Sequence, residues 1–491
     1  MSYGELEDRA NQGAHLFRTK GLQSGDTIAI WLPNIPEYFE AYWAGQRAGL
    51  YITPIPTSLT GAEAAYILED SGAKLLIAST AIKGLEDLLS RHRPKGLESV
   101  FLVGSHDPGF PDWKSALASQ PKHPIPDESA GFHLVYSSGT TGRPKGIRLP
   151  LTGGSATEPH MLAERIAAYG IDASSRFLSP APLYHTAPLA YSTSCHRLGA
   201  SVILMPKFDA EAALAAIEDH SVTHSQMVPT MFVRMLKLPE EIRGKYDVSS
   251  LHAVIHAAAP CPVEVKREMM NWFGPILHEY YGGSEGNGST AITPEEWLRK
   301  PGSVGRASWG RIHICDEDGR ELPTGEPGLV YFEGGWDFQY MNDPEKTRDA
   351  RNPIHKSWST LGDIGYLDDD GYLFLTDRKS FMIITGGENI YPQEIENLLV
   401  SHPKVMDAAV IGVPHPDFGE EVKAVVQPVA WGDANPEFGQ ELLDYCRANL
   451  SHVKCPKSVD FDPSLPRLDN GKLYKRKIRD TYWKSHDKRI N

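Results

Sequence analysis

The chain has 491 residues, enough for two to four domains or subdomains, and apolar residues make up 41% of it. Its 49 basic and 63 acidic residues give a formal charge of −14, which argues against nucleic acid or an anionic membrane as the main partner. No apolar run reaches the length of a membrane span, and the polar first residues lack a signal-peptide core. Five scattered cysteines without CxxC spacing favour reduced thiols, so we expect a cytoplasmic protein without an integral membrane span.

Short apolar runs of strand length alternate with helical patterns over most of the chain. Residues 26–34 predict a buried strand that leads into a helix, and residues 74–79, 99–104, 200–206 and 276–281 predict further strands. This alternation predicts an α/β fold in which helices pack on sheets.

The pattern changes near residue 305, where predicted strand pairs surround Asp-Gly and Thr-Gly turns. After residue 379 it returns to a compact α/β unit of roughly one hundred residues. We therefore predict a large N-terminal domain of layered α/β subdomains over residues 1–379, with a β-rich subdomain at about 305–379. A small α+β C-terminal domain is predicted over 380–491.

A loop rich in serine, threonine and glycine follows the strand-like residues FHLVY. Small side chains let the main chain approach a phosphate closely, consecutive N–H groups form an anion nest, and a lysine adds charge. The order GTTGRPKG differs from GxxxxGK[ST], which argues against a P-loop phosphotransferase. A flexible Ser/Gly turn is the alternative, but four hydroxyls, three glycines and a lysine within ten residues favour a phosphate site. The candidate ligands are Ser137, Ser138, Gly139, Thr140, Thr141, Gly142 and Lys145.

The run YSSGTTGRPKG resembles the signature of the adenylate-forming superfamily, which includes acyl- and aryl-CoA synthetases, adenylation domains of nonribosomal peptide synthetases and beetle luciferases. Further motifs follow in the family's order, so the resemblance covers essentially the whole chain and is strongest to the acyl-CoA synthetases. It implies a large AMP-binding domain and a small, mobile C-terminal domain that rotates between two half-reactions. It also implies ATP, Mg²⁺ and coenzyme A as cofactors.

Residues 281–285 match the family's aromatic-Gly-x-Thr/Ser-Glu motif. The resemblance implies that Tyr281 stacks on adenine, that Ser284 bonds a phosphate and that Glu285 binds magnesium. A carboxylate suits Mg²⁺, which prefers oxygen ligands. The alternative is a strand end whose glutamate is merely exposed. Two further candidate ligands of the nucleotide lie inside this motif, Gly282 and Gly283.

Asp363 and Arg378 match family residues that contact the ribose or the phosphates. Asp363 would accept hydrogen bonds from both ribose hydroxyls, although Leu361 stands two residues before it where the family usually has Thr. The alternative is that Asp363 caps a turn. Ala258 belongs to a small-residue segment that resembles the lining of the adenine and acyl pocket, but a plain close-packed strand would look similar.

The remaining candidates lie in the C-terminal part. Ser380 matches the hinge, where the family usually has Asp or Lys, and a hinge residue must absorb a change in backbone dihedral angles. Gly386 and Gly387 would line the approach of the thiol, the alternative being glycines at a strand edge. Residues 466–472 match the family's Px4GK pattern, and Lys472 would bridge the carboxylate and the α-phosphate. A solvated basic helix face is the alternative for Lys472.

The segment Tyr184-His185-Thr186 resembles the aromatic and histidine residues beside the family's acyl site. His185 is therefore a candidate gate for the carboxylate or the thiol, although a lone histidine is more often structural. Pocket candidates such as Tyr191 and Met227 are apolar, and no acidic residue is evident that would hold an α-ammonium group. These residues favour a fatty, aromatic (hydroxycinnamic) or alicyclic acid over an amino acid.

The predicted function is an ATP-dependent acid–CoA ligase that forms an acyl-adenylate and then an acyl-CoA, with release of pyrophosphate and AMP. No general base is required, because a carboxylate is already ionised at neutral pH. Coenzyme A is the preferred thiol because no attached carrier domain is evident. The alternatives are a stand-alone adenylating enzyme that loads a carrier protein and a non-catalytic nucleotide-binding regulator. The predicted partners are a small carboxylic acid, ATP and CoA, without nucleic acid, and the predicted assembly is a monomer or homodimer.

Overall fold

The computed structural model describes residues 1–104, 109–137, 144–156, 158, 160–385, 388–416, 418–467 and 471–483. The chain divides into two compact units, each assembled from separate stretches of sequence. The first unit comprises Met1–Phe208, Ser284–Gly286 and Trp336–Asp349. The second unit comprises Asp209–Gly283, Asn287–Gly335 and Ala350–Asn491.

Helices and strands alternate along the first unit. A π-helical turn over Leu88–His92 follows the fourth helix. In chain order the elements are α1 (Tyr3–Thr19), β1 (Thr27–Trp31), α2 (Pro36–Arg47), β2 (Tyr51–Pro54), α3 (Gly61–Asp70), β3 (Ala73–Ser79), α4 (Leu85–Asp87), β4 (Ser99–Val103), α5 (Trp113–Ala118), β5 (Phe132–His133), β6 (Val135–Ser137), β7 (Lys145–Arg148), α6 (Met161–Ala167), β8 (Arg176–Ser179), α7 (Thr186–Arg197) and β9 (Ser201–Leu204).

The next elements belong to the second unit as far as residue 335. They are α8 (Ala210–Asp219), β10 (His224–Met227), α9 (Pro229–Leu236), α10 (Glu240–Arg243), β11 (Ala253–His256), α11 (Val263–Phe273), β12 (Leu277–Gly282), β13 (Ser289–Ile292), α12 (Pro294–Arg299), β14 (Arg306–Trp309), β15 (Arg311–Cys315) and β16 (Gly328–Glu333). The chain then returns to the first unit with β17 (Gln339–Tyr340) and α13 (Pro344–Asp349).

The rest of the second unit contains 3₁₀ turns over Lys379–Phe381 and Trp431–Asp433. Its other elements are β18 (Ser359–Leu367), β19 (Leu373–Arg378), β20 (Ile383–Thr385), β21 (Glu388–Ile390), α14 (Pro392–Ser401), β22 (Val405–His415), β23 (Gly419–Pro428), α15 (Pro436–Asn449), β24 (Ser458–Phe461) and α16 (Lys475–Trp483).

The main sheet of the first unit is parallel, with the strand order β4-β3-β1-β2-β5. Both faces of this sheet are buried: Ile28 and Ile30 belong to one apolar core, whereas Ala29 and Trp31 belong to another. A strand that is covered on both faces reads as a continuous apolar run, which is the pattern seen at residues 26–34. The strands predicted at residues 74–79, 99–104 and 200–206 are also present.

The second unit contains three groups of strands. The strand order β14-β13-β12-β11-β10 is parallel from β10 to β12 and antiparallel from β12 to β14. An antiparallel sheet follows in the order β15-β16-β18-β19, and the last part forms the order β21-β20-β23-β22 with β24 beside β23. Among the described residues, no helix combines the length and the apolar composition that a membrane span needs.

Candidate active site

The predicted phosphate loop joins two paired strands of the first unit. Strands β6 and β7 are antiparallel, and Ser137 at the end of β6 pairs with Lys145 at the start of β7. The hairpin therefore fixes the two ends of the loop, at Ser137 and Lys145. Five predicted ligands lie outside the described residues, namely Ser138, Gly139, Thr140, Thr141 and Gly142.

A strand from far along the sequence completes this small sheet. Strand β17 pairs antiparallel with β7, so that Tyr340 lies opposite Ile147, and the Met341 N–H donates to the Gly146 carbonyl at 2.8 Å. A Cβ atom at Gly146 would lie 2.8 Å from Met341 Cγ and 2.9 Å from Tyr136 Cζ. A larger residue at this position would therefore force the side chain of Met341 or Tyr136 to move.

Tyr340 connects two predicted site residues, Lys145 and Glu285. The Lys145 ammonium lies 5.6 Å from the centroid of the Tyr340 ring, and the Tyr340 hydroxyl donates to Glu285 Oε1 at 2.9 Å. The Trp336 N–H also donates to the Gly286 carbonyl at 2.9 Å, which ties the two stretches together. The fold thus brings together a lysine and a carboxylate that stand far apart in the sequence.

The Lys145 ammonium is held in an unusual electrostatic environment. Burial and the adjacent Lys346 side chain lower the pKa of Lys145 to about 7, whereas Asp343 and Glu285 act in the opposite direction. Both effects that lower the pKa disfavour the charged form, and an anion placed beside the ammonium would restore it.

Ser284 and His185 also lie in the first unit. The Ser284 hydroxyl is 2.7 Å from the hydroxyl of Thr186, the first residue of α7. His185 precedes that helix as its N-cap residue, and its ring centroid lies 4.6 Å from that of Tyr184. The structure therefore places Ser284 and Glu285 with Lys145 and His185 in one unit.

In the second unit, Asp363 is the centre of the predicted ribose group. Asp363 is buried; its Oδ2 accepts a hydrogen bond from the Tyr281 hydroxyl at 2.7 Å, and its Oδ1 accepts one from Arg378 Nε at 3.0 Å. Strands β18 and β19 place Asp363 directly opposite Arg378. A carboxylate has about four acceptor positions, so the two bonds orient Asp363 and leave acceptor capacity for hydroxyl groups of a ligand.

The small-residue positions of the second unit have distinct backbone features. Ala258 adopts a positive φ of 74°, which is uncommon for a residue with a side chain and marks local strain. Gly282 ends β12, and a Cβ atom there would approach the Gly288 carbonyl oxygen to 3.2 Å. Gly283 follows directly, at the end of the stretch that belongs to the second unit.

Gly471, the residue before Lys472, packs closely against the start of α9. Gly471 has a φ of 80°, and a Cβ atom there would lie 2.6 Å from Thr230 Oγ1 and 3.1 Å from Val228 Cγ2. Glycine is therefore needed at position 471 both for its backbone conformation and for the close approach. Gly471 is thus held close to residues 228–230.

An ion pair also holds the main chain at Gly471. The Arg467 guanidinium donates through two nitrogens to both carboxylate oxygens of Asp407, and a third nitrogen donates to the Gly471 carbonyl. A bidentate pair of this kind fixes orientation as well as distance. Arg467 and Asp407 therefore position the residue before Lys472.

Ser380 lies in the 3₁₀ turn between β19 and β20. Its assignment as a hinge remains a prediction, and Gly386 and Gly387 lie outside the described residues. The sequence analysis missed Tyr340, Lys346, Arg467 and Asp407. No local pattern marks the first two, because their positions near Lys145 depend on the distant pairing of β7 with β17.

Two family models match the chain. The model described as AMP-binding enzyme matches residues 1–339, and the model described as AMP-binding enzyme C-terminal domain matches residues 394–472. The protein therefore belongs to the family of AMP-binding, adenylate-forming enzymes, which confirms the resemblance stated above.

Three curated relatives are similar over nearly the whole chain. The long-chain-fatty-acid–CoA ligase FadD13 of Mycobacterium tuberculosis is 31% identical over 98% of this chain and 93% of its own. A feruloyl-CoA synthase of Amycolatopsis is 34% identical over the same shares, 98% and 93%. The fatty acid–[acyl-carrier-protein] ligase ScoC of Streptomyces coeruleorubidus is 29% identical over 100% of this chain and 93% of its own.

A solved structure shares the fold. The ATP-bound MatB of Rhodopseudomonas palustris aligns with a TM-score of 0.83 at 30% identity, over 98% of this chain and 93% of that one. The predicted fold class, with a large α/β part and a small C-terminal domain, is confirmed, and so is the class of enzyme, an acid–thiol ligase. These comparisons leave the acid undetermined, since the named relatives differ in it.

Proposed function

We propose that the protein activates an apolar carboxylic acid with ATP and transfers the acyl group to coenzyme A, releasing pyrophosphate and AMP. The observation that carries the proposal is the convergence of Lys145 and Glu285 on Tyr340. A cation and a carboxylate beside a Ser/Thr-rich loop suit a polyphosphate and its metal. The CoA ligases among the relatives support coenzyme A as the acceptor.

In the first half-reaction, the substrate carboxylate attacks the α-phosphorus of ATP and pyrophosphate leaves. Lys145, Ser284 and the loop that begins at Ser137 would hold the β- and γ-phosphates. Lys472 would place its charge beside the α-phosphate, where negative charge develops in the transition state. Catalysis then consists of positioning and charge stabilisation, because the attacking carboxylate is already ionised.

The residues of the second unit would hold the nucleoside. Tyr281 would lie against the adenine, beside Ala258, Gly282 and Gly283, and Asp363 would accept hydrogen bonds from the ribose hydroxyls. Arg378 orients Asp363 through its bond to Oδ1. The hydroxyl of Tyr281 orients the other oxygen, so both residues would work through the same carboxylate.

Glu285 fits a magnesium ion that is shared with a polyphosphate. Mg²⁺ is usually held by one or two carboxylates together with substrate phosphates, and Glu285 is a single carboxylate oriented by Tyr340. When bound, the ion would neutralise charge on the phosphates. A cytoplasmic enzyme accords with the five cysteines, which are all free, and a monomer or homodimer remains our expectation.

In the second half-reaction, the thiol attacks the acyl-adenylate and AMP leaves. Rotation about Ser380 would withdraw Lys472 and bring Gly386 and Gly387 to the thiol. His185 would control access to the acyl group. The acid would be fatty, aromatic or alicyclic, as the buried, apolar Tyr191 and Met227 suggest.

A panel of carboxylic acids tests the proposal. Pyrophosphate and AMP release should be measured for each acid with CoA, with a phosphopantetheinylated carrier protein, and with neither. We expect pyrophosphate release that depends on an apolar acid, and AMP release that depends on CoA. AMP release only with the carrier protein would replace CoA as the acceptor. Absence of pyrophosphate release with every acid would refute the activity and favour a nucleotide-binding regulator.

A further inference from the structure

Two lysines of the first unit, Lys145 and Lys346, lie near the start of strand β7, where the predicted phosphate loop ends. Lys145 begins β7, and Lys346 lies in α13, where its side chain is close enough to the Lys145 ammonium to help lower the pKa of that group. The resemblance that identified Lys145 gives no role to Lys346.

The main chain builds this juxtaposition. Strand β17 pairs with β7, and the segment between β17 and α13 is held by hydrogen bonds of its own. Asp343 Oδ1 accepts from the Lys346 N–H at 3.0 Å, and Thr347 Oγ1 donates to the Asp343 carbonyl at 3.0 Å while it accepts from the Tyr340 N–H at 3.0 Å. The main chain of Lys346 is therefore held by a structured turn that follows the partner strand of β7.

Among the residues that the structure describes, neither lysine of this pair forms an ion pair. Within the described ranges, no carboxylate lies at ion-pair distance from Lys145 or Lys346. Asp343 and Glu285 act on Lys145 only at longer range, and the pKa of Lys145 is lowered by burial and by Lys346. Two ammonium groups held together in this way repel each other, and an anion between them would convert the repulsion into attraction.

We propose that Lys346 is a second cationic ligand of the terminal phosphates of ATP and of the departing pyrophosphate, acting together with Lys145. This inference rests on the proposed function, because it assigns Lys346 to the same polyphosphate. Lysine binds phosphate as a mobile point charge, and two such charges match the charge on adjacent phosphate groups. An acyl-adenylate lacks the β- and γ-phosphates, so Lys346 acts only before pyrophosphate leaves.

The test compares Lys346→Met with Arg348→Met, which removes a cation from the same short helix. Arg348 is exposed and lies 3.9 Å from Glu345, so its loss leaves the lysine pair intact. We expect Lys346→Met to raise the KM for ATP and the inhibition constant of pyrophosphate on the order of tenfold, which corresponds to about 1.4 kcal/mol. Thioester formation from pre-made acyl-adenylate should be unchanged, and Arg348→Met should match the wild type in every assay.

Proton uptake gives a second, independent readout. ATP should raise the pKa of Lys145, so binding at pH 7.5 should take up a proton, measured by titration calorimetry in buffers of different ionisation enthalpy. Asp343 and Glu285 favour the charged lysine, and Lys346 opposes it. In Lys346→Met, Lys145 should already be more fully protonated before ATP binds, so ATP binding should take up fewer protons. Arg348→Met should leave proton uptake unchanged.

The outcomes separate this inference from the proposed function. Unchanged ATP and pyrophosphate constants in Lys346→Met would refute the inference, and so would an equal loss in both half-reactions, which would indicate a structural role. If no acid supports adenylation by the wild type, the proposed function fails. Titration calorimetry of ATP and of pyrophosphate binding to the wild type, Lys346→Met and Arg348→Met would still decide the inference, because these measurements need no acid.

Discussion

Two clusters of predicted site residues differ in how they handle charge. We call Lys145, Glu285, Tyr340 and Lys346 in the first unit the phosphate group of residues, and Tyr281, Asp363 and Arg378 in the second unit the ribose group of residues. In the phosphate group, Lys145 and Lys346 lie together, and the Glu285 carboxylate is held by a tyrosine hydroxyl. In the ribose group, the Asp363 carboxylate is bonded through both oxygens, by Tyr281 and Arg378. The Asp363 charge is thus balanced within the ribose group, whereas the two lysines repel each other in a way that an anionic ligand would relieve.

This difference indicates how each group contributes to stability and to activity. The Asp363 bonds, like the Arg467–Asp407 pair, stabilise the folded state and orient side chains at once. The lysine pair should weaken the folded state and favour anion binding, as is expected where a local rule is broken at a functional site. Substitutions should therefore lower stability and activity together in the second unit, but separate them in the first.

The largest expected effect concerns Lys472 and tests whether the second unit supplies the cation for the transition state. Lys472→Ala should slow adenylation on the order of 10³-fold, about 4 kcal/mol, because the charge that develops at the α-phosphate loses its partner. Thioester formation from pre-made acyl-adenylate should persist. The measurement is single-turnover kinetics of each half-reaction.

A lysine on the same part of the chain provides the control for Lys472. Lys477 is exposed on α16, and Lys477→Ala should leave both half-reactions unchanged. If Lys472→Ala slowed the two half-reactions equally, the assignment of this lysine to adenylation alone would be wrong.

The second effect concerns Arg467, where stability and activity should decline together. Arg467→Met should lower the free energy of unfolding by about 3 kcal/mol, because Asp407 would remain mostly buried without its partner. Adenylation should also slow, since the Gly471 carbonyl loses its donor beside Lys472. Urea unfolding and pyrophosphate release measure the two quantities.

Two further variants sharpen the Arg467 prediction. Asp407→Asn combined with Arg467→Met should be less destabilised than Arg467→Met alone, because the orphaned charge is removed. Arg447→Met breaks an exposed pair with Asp444 and should cost less than about 1 kcal/mol. An Arg467→Met variant as mild as Arg447→Met would show that the pair is not structural.

The ribose group shows how far sequence reasoning extends. Asp363 and Arg378 stand fifteen residues apart on either side of an Asp-Gly turn, and an antiparallel pair of strands around that turn places them opposite each other. Because the hairpin is local, the sequence predicted the strands, and the family motifs predicted the two residues. The continuous apolar run of β1 was predicted for the same reason, since burial on both faces leaves a local mark.

The phosphate group shows where that reasoning stops. Lys346 lies in a polar segment with no motif, and its position beside Lys145 follows from the pairing of β17 with β7. Such long-range pairing depends on the packing of the whole unit, which a local pattern does not encode. Asp407 was missed for the same reason, because it meets Arg467 across a separation of sixty residues.

The third prediction uses Lys145, where activity and stability should separate. Lys145→Met should weaken ATP binding yet raise the free energy of unfolding by about 1 kcal/mol without nucleotide, because it removes a partly buried like charge that water only partly screens. The pKa of Lys145 in the folded state, about 7, lies below the usual value for a lysine. The charged ammonium therefore destabilises the fold at every pH below that usual pKa, and the effect is fully present below about pH 7. Wild-type stability should therefore rise relative to the variant as pH increases from about 7 towards 10. A lower stability of Lys145→Met at pH 7 would contradict the proposed repulsion.

The smallest expected effect concerns Tyr340, which joins the two charges of the phosphate group. Tyr340→Phe keeps the ring beside Lys145 but removes the hydrogen bond to Glu285. The loss of this bond should reduce kcat/KM for ATP about fivefold, which corresponds to about 1 kcal/mol of transition-state stabilisation. Tyr372→Phe is the matched control, since its hydroxyl also donates to a glutamate, Glu296, at 3.1 Å, but in the second unit outside the predicted site. Steady-state kinetics with ATP as the varied substrate should show a decrease only for Tyr340→Phe. If kcat/KM for ATP stayed at the wild-type value in both variants, Glu285 would need no orienting partner. The phosphate group would then depend on its lysines alone.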